Sequence, residues 1–332
     1  MPLPADPTIL ASGLSRRYGA FGTSSTAGAR AAVDNVDLTL RRGEVLGFLG
    51  PNGAGKTTTM QMLTGNLAPS AGAVSICGVD MLEAPVAAKA HIGYLPETPP
   101  LYRDMNVAEY LDLAARLHRV PKARRAAAVA RASDRCGLGS VSRKLIGALS
   151  KGFQQRVGIA QAIVHEPDVI ILDEPTVGLD PNQIRDIRAL IRELGSAHSV
   201  ILSTHILPEV EAICDRVQIM HHGKMVYTDT IAALKQRHSD RTLLVGLQQA
   251  PAFETVRAAL LGIPGVAAVE AADGELIRVR ATTDTDPTAQ IVALAAAQHW
   301  ALRQIGPAQT SLEDVFAQLT QNVPHAPQDQ QP

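Results

Sequence analysis

The stretch V-L-G-F-L-G-P-N-G-A-G-K-T-T-T-M, Val45 to Met60, decides the fold. Val45 to Leu49 is an unbroken apolar run, the pattern of a strand covered on both faces. Gly50 to Thr57 then satisfies G-x-x-x-x-G-K-[ST], and T-T-M-Q-M-L-T reads on as a helix. Strand, glycine-rich loop and helix in that order make a phosphate cradle. Gly50, Gly53 and Gly55 let the backbone wrap closely, so that successive N–H groups point at one phosphate and the helix start adds its positive end. Lys56 reaches the β- and γ-phosphates of a nucleotide, and Thr57 offers a hydroxyl to Mg²⁺.

Two further apolar runs, Val169 to Leu172 and Ser199 to Ser203, have the same character. The helix between them places Ile184, Ile187, Ile191 and Leu194 on one face. That is a β-α-β unit, so the sheet is at least partly parallel. Open α/β sheets bind ligands at the carboxyl ends of their strands. The residues following these two runs are therefore candidates for chemistry on the phosphate. Asp173 is placed to hold Mg²⁺ through water, Glu174 to activate a water, and His205 to touch the γ-phosphate or that water.

The chain has 332 residues, enough for one large or two ordinary domains. Residues 8–238 read as an α/β nucleotide-binding domain with a mixed sheet, interrupted over about 98–165 by a helical subdomain. After a break near His238 to Asp240, residues 241–321 follow the order β-α-β-β-α-β of a ferredoxin-like α+β domain, with Ser311 capping a last helix. Residues 1–7 and 322–332 are Pro- and polar-rich, and both ends are expected to be disordered. His221 and His222 fall in the turn of a hairpin and read as surface residues.

Composition narrows the partners. With 31 basic and 32 acidic residues there is no basic footprint for nucleic acid. Cys77, Cys136 and Cys214 lack C-x-x-C spacing, so neither a disulfide framework nor a zinc site is indicated. The N-terminus lacks the pattern of a signal peptide, and no apolar run reaches the roughly 20 residues of a membrane span. A membrane role requires another chain to supply the membrane part.

These pieces, in this order over roughly residues 8–235, resemble the ATP-binding subunits of ABC transporters, most of all those of the ABC-2 export type. The resemblance implies that Gly50, Pro51, Asn52, Gly53, Ala54, Gly55, Lys56, Thr57 and Thr58 form the Walker A loop around ATP. It makes Asp173 the Walker B aspartate, Glu174 the catalytic base and His205 the switch histidine. Tyr18 falls where an aromatic residue stacks on adenine. Leu149 to Gly152, L-S-K-G, corresponds to the signature segment that one subunit lends to the ATP bound by its partner. Ser150 Oγ and the Gly152 N–H are its donors, and Gly178 to Asp180 is the loop linking sites across the dimer. The family works as homodimers or heterodimers at the cytoplasmic face of the membrane, driving a separate permease, and Pro99 to Tyr102 corresponds to the surface that passes the stroke to it.

The sequence departs from the family pattern at three positions. Lys151 and Phe153 stand where most relatives have glycine and glutamine, so Lys151 either adds positive charge beside phosphate or points into solvent. Glu97 replaces a glutamine that touches Mg²⁺ or the attacking water. The loop Ala20 to Ala31 reads as a flexible excursion. Two other classes fit a phosphate loop. A soluble ABC-type factor would show paired ATPase modules or long coiled coils. A P-loop kinase would not need the L-S-K-G segment.

Overall fold

The computed structural model describes residues 7–18, 31–234, 242–272, 276–282 and 286–307. The chain divides into two compact units, Met1–Ile231 and Ala232–Pro332. The break read at 238–240, the terminal segments 1–6 and 322–332, the loop from Ala20 to Arg30 and the helix expected from Ser311 lie outside the described residues. Ala31 itself already belongs to a strand.

The first unit holds two sheets. One is antiparallel, built from β1 (Ile9–Arg17), β2 (Ala31–Leu40), β4 (Ala71–Ile76) and β5 (Val79–Asp80) in the order β2-β1-β4-β5. The other contains β3 (Val45–Leu49), β6 (Ile92–Leu95), β7 (Val169–Asp173), β8 (Ser199–Thr204), β9 (Arg216–His221) and β10 (Lys224–Thr230). Its order is β10-β9-β3-β8-β7-β6, parallel except for β10. Every residue of β3, β7 and β8 is buried, as continuous apolar runs require.

Helix α1 (Lys56–Leu63) follows the phosphate loop and buries Met60, Met62 and Leu63 in one core with Leu38 and Leu40 of β2, Phe48 of β3 and Ile171 of β7. Side chains of this size contribute about 1.5–3 kcal/mol each on burial. After α2 (Pro85–Ala90) and β6, three helices precede β7: α3 (Val107–Leu117), α4 (Lys122–Arg135) and α5 (Lys151–Ile163). Between β7 and β8 runs α6 (Pro181–Gly195), which buries Ile187, Leu190, Ile191 and Leu194. Ile184, expected on that face, is half-buried because it sits one turn from the helix start, and Leu190 completes the stripe. Gly47 in mid-β3 admits α7 (Leu207–Ile213): a Cβ there would lie 2.7 Å from Val210 Cγ1.

The second unit runs β11 (Thr242–Leu247), α8 (Phe253–Leu261), β12 (Val266–Ala272), β13 (Leu276–Ala281), α9 (Thr288–Ala297), β14 (Leu302–Pro307). Its sheet is antiparallel in the order β12-β13-β11-β14, the ferredoxin-like arrangement. Val245, Val256, Leu260, Val279, Ile291 and Trp300 form its core.

Candidate functional site

Strands β3, β8 and β7 are neighbours and parallel, so the phosphate loop, His205 and the Asp173–Glu174 pair leave the same edge of the sheet. The three loop glycines answer to different constraints. A Cβ on Gly50 would lie 2.5 Å from the Met220 carbonyl oxygen, and one on Gly55 2.5 Å from that of Ala32. Gly53 has open space but a φ of +77°, which side-chain-bearing residues adopt at a cost. Gly55 is also the N-cap of α1, so no side chain stands before the first N–H groups of that helix.

Lys56 is buried and its Nζ donates to the Gly50 carbonyl at 2.8 Å. The same ammonium lies 3.3 Å from Glu174 Oε1. Glu174 is itself buried, with a φ of +49°, and its N–H donates to the Ser203 carbonyl at 2.9 Å. Its two oxygens lie 3.0 and 2.9 Å from His205 Nδ1. A non-glycine residue held at positive φ stores backbone strain, and here that strain aims a carboxylate between a lysine and a histidine.

Asp173, at the end of β7, is fully buried. Burial pushes its carboxyl above the usual aspartate range; the Ser203 and Thr57 hydroxyls oppose that rise, and the charges of Glu174 and Glu97 add to it. Neither oxygen has a well-formed hydrogen bond. A buried carboxylate without a donor is costly unless a cation takes that place. One carboxylate, the Thr57 hydroxyl and the nearby Glu97 carboxylate form an all-oxygen set, which fits Mg²⁺. Thr57, Thr58, Lys56, Glu97, Glu174 and His205 line a cavity of about 410 Å³.

A second cavity of about 560 Å³ shares Pro51, Asn52 and Gly53 with the first and is bounded by Tyr18, His221 and His222. Tyr18 is about half exposed, and the Arg16 guanidinium lies 5.0 Å from its ring centroid. The His221–His222 turn, read as mere surface, walls this cavity because β9 is the other sheet neighbour of β3. That adjacency, invisible in the sequence, was the missing signal.

Ser150, Gly152 and Asp180 do not line the phosphate cavity of their own chain. Ser150 is the N-cap of α5: its Oγ accepts from the Phe153 N–H at 3.5 Å, which leaves the hydroxyl hydrogen free to donate elsewhere. At Gly152 a Cβ would meet the Gln183 side chain at 2.6 Å. Asp180 caps α6, accepting from the N–H groups of Asn182 and Gln183 at 3.0 and 2.9 Å. The Lys151 ammonium lies over Gly178 and lines a third cavity with Glu97 and Gln155. It therefore sits on the loop leading to Asp180.

A phosphate loop on a largely parallel sheet, with an acidic pair and a histidine on adjacent strands, marks a P-loop nucleotide-binding protein. The ABC transporter family profile matches residues 33–177. The ABC transporter ATP-binding protein NatA of Bacillus subtilis is 38% identical over 64% of this chain and 87% of its own length. The daunorubicin resistance ATP-binding protein of Streptomyces coeruleorubidus is 33% identical over 79% of this chain and 80% of its own. Among solved structures, an ATP-binding subunit of an ABC transporter is 30% identical with a TM-score of 0.60, covering 69% of this chain and 92% of that one. The chain belongs to the ATP-binding proteins of ABC transporters and is an ATPase of that family. Among the described residues, no helix is long and apolar enough to cross a membrane.

Proposed function

We propose that this chain is the ATP-hydrolysing subunit of an exporter, acting in pairs at the cytoplasmic face of the membrane on a separate permease. ATP lies along the two joined cavities, with adenine against Tyr18 and the phosphates over Gly50 to Thr58. Lys56 contacts Glu174 and the Gly50 carbonyl. A bound phosphate competes for Lys56 and frees Glu174. Glu174 then takes a proton from water as that water attacks the γ-phosphorus and the bond to the β-phosphate oxygen breaks. His205 Nδ1 holds both oxygens of Glu174, and Lys56 balances charge on the transferring group. Thr57, Asp173 and Glu97 would hold Mg²⁺, which would neutralise charge on the phosphates.

Ser150 and Gly152 of a second copy, at a capped helix start, complete the site from the other side, with Lys151 and Asp180 on the loop between the two sites. The export direction rests on the likeness to the daunorubicin resistance protein, and contact with the permease is assigned to Pro99 to Tyr102. The observation carrying the reading is that Lys56 and His205 both contact the Glu174 carboxylate, beside a buried Asp173 whose oxygens lack a well-formed hydrogen bond. Lys56→Ala is expected to lose hydrolysis, and Glu174→Gln to slow it by about 10²-fold or more while still binding ATP. Full hydrolysis by Lys56→Ala in a phosphate-release assay sinks the assignment.

A further inference from the structure

Strand β7 ends in Asp173 at the phosphate edge, but it begins just after Asp168, about 16 Å away along the strand. Asp168 is part of a different cluster. His91 immediately precedes β6, and Cys77 stands in the turn joining β4 to β5. One donor atom from each of Cys77, His91 and Asp168 lies within 4.8 Å of the other two. Among the described residues no other three His, Cys, Asp or Glu donors converge so closely. The three come from distant parts of the sequence and are all half-buried, so water and ions reach them.

His91 Nδ1 lies 2.7 Å from Asp168 Oδ2, which leaves Oδ1 to a single 3.3 Å contact from Arg42 Nη1. Arg42 is 62% exposed and pairs at the surface, where such contacts contribute at most about 1 kcal/mol. It is thus a weak competitor. Cys77 and Gly78 both have positive φ, 49° and 80°, in the turn where asparagine–glycine is the usual choice. A thiol occupies a strained position there.

We propose that Cys77, His91 and Asp168 form a zinc site distinct from the nucleotide pocket. Thiolate, imidazole and carboxylate together suit zinc, which takes three protein ligands and leaves a fourth position to water, whereas Mg²⁺ and Ca²⁺ take oxygen. Zinc bond lengths of 2.0–2.3 Å bring tetrahedral ligand atoms to about 3.5 Å from one another. Binding the ion requires the 2.7 Å His91–Asp168 contact to open and Arg42 to release Asp168. The ion ties the β4–β5 turn to the starts of β6 and β7.

The test uses the full-length, untagged, reduced protein without nucleotide. Zinc is titrated against a chromophoric chelator, and cobalt(II) is added separately as a spectroscopic probe. One zinc equivalent and a thiolate-to-cobalt charge-transfer band are expected. Cys77→Ser abolishes the band and weakens zinc at least tenfold, and His91→Gln and Asp168→Asn weaken it similarly. Arg42→Gln keeps every donor and removes the competing cation, so it tightens binding. A wild-type protein that does not compete for zinc, or a band that survives Cys77→Ser, overturns the proposal. Zinc held without any thiolate band overturns it as well, since the ion then sits on histidines elsewhere.

Discussion

The interiors of the two units differ in kind. The first buries Lys56, Asp173, Glu174, Glu209 and Arg216 among its apolar residues, whereas none of the buried polar or charged side chains lies among the described residues of the second. Part of this polarity is compensated. Glu209 accepts from Thr204 Oγ1 at 3.0 Å, and Glu44 is bound by Arg216 at 2.6 and 3.0 Å. Asp173, at the phosphate edge, is not. A buried carboxylate without a well-formed partner either neutralises or takes a cation. Among its described residues the second unit shows no buried charged side chain of this kind.

The largest effect expected from this contrast is at Arg216. Arg216→Ala removes the guanidinium that pairs with buried Glu44, leaving it the Arg41 N–H, and costs about 4 kcal/mol in urea unfolding. In the second unit the loss is of packing only: Leu260→Ala costs about 3 kcal/mol. Trp300, the single tryptophan of the chain, lies in that second core, so its fluorescence reports that loss and stays unmoved by Arg216→Ala. A common shift of both transitions breaks the comparison.

Asp173→Asn acts in opposite directions on the two properties. Hydrolysis falls by about 10²-fold, while the nucleotide-free chain gains about 1 kcal/mol because an uncompensated charge is gone. The pH dependence follows the same logic. Burial raises Asp173 above its unfolded value, so between the two values the folded chain binds more protons, and stability rises as pH falls through that window. Glu44 has the opposite sign. Burial pushes it up, but the Arg216 and Arg41 hydrogen bonds bring it below the usual range, and its contribution is lost as pH falls through that lowered value. Thermal melts across mildly acidic pH check both, and Asp173→Asn is expected to remove the rise. The smallest effect is at Ser150: its cap is worth about 1 kcal/mol. An ATPase loss in Ser150→Ala beyond what that destabilisation explains marks its role toward a partner.

The core sheet was legible because β3, β7 and β8 are apolar on both faces, and the phosphate loop because Gly50, Gly55, Lys56 and Thr57 stand at fixed spacing between a strand and a helix. The ferredoxin-like order was legible because each of its elements is short and periodic. The antiparallel sheet of β1, β2, β4 and β5 was not, since its strands mix buried and exposed positions irregularly across bulges. Nor was the Lys56–Glu174 pair visible, or the zinc cluster. Both join side chains that only the strand order brings together. Lys151 had two sequence readings, phosphate or solvent, and the structure places it over Gly178.

The central claim is that the ATP site of this chain is completed by a second copy. Glu174→Gln, which binds nucleotide without rapid turnover, is the variant in which to measure it. Its mass by size-exclusion chromatography with light scattering is expected to double on addition of Mg-ATP and to return to the monomer when Ser150→Ala is added. A species that stays monomeric at saturating Mg-ATP contradicts the account.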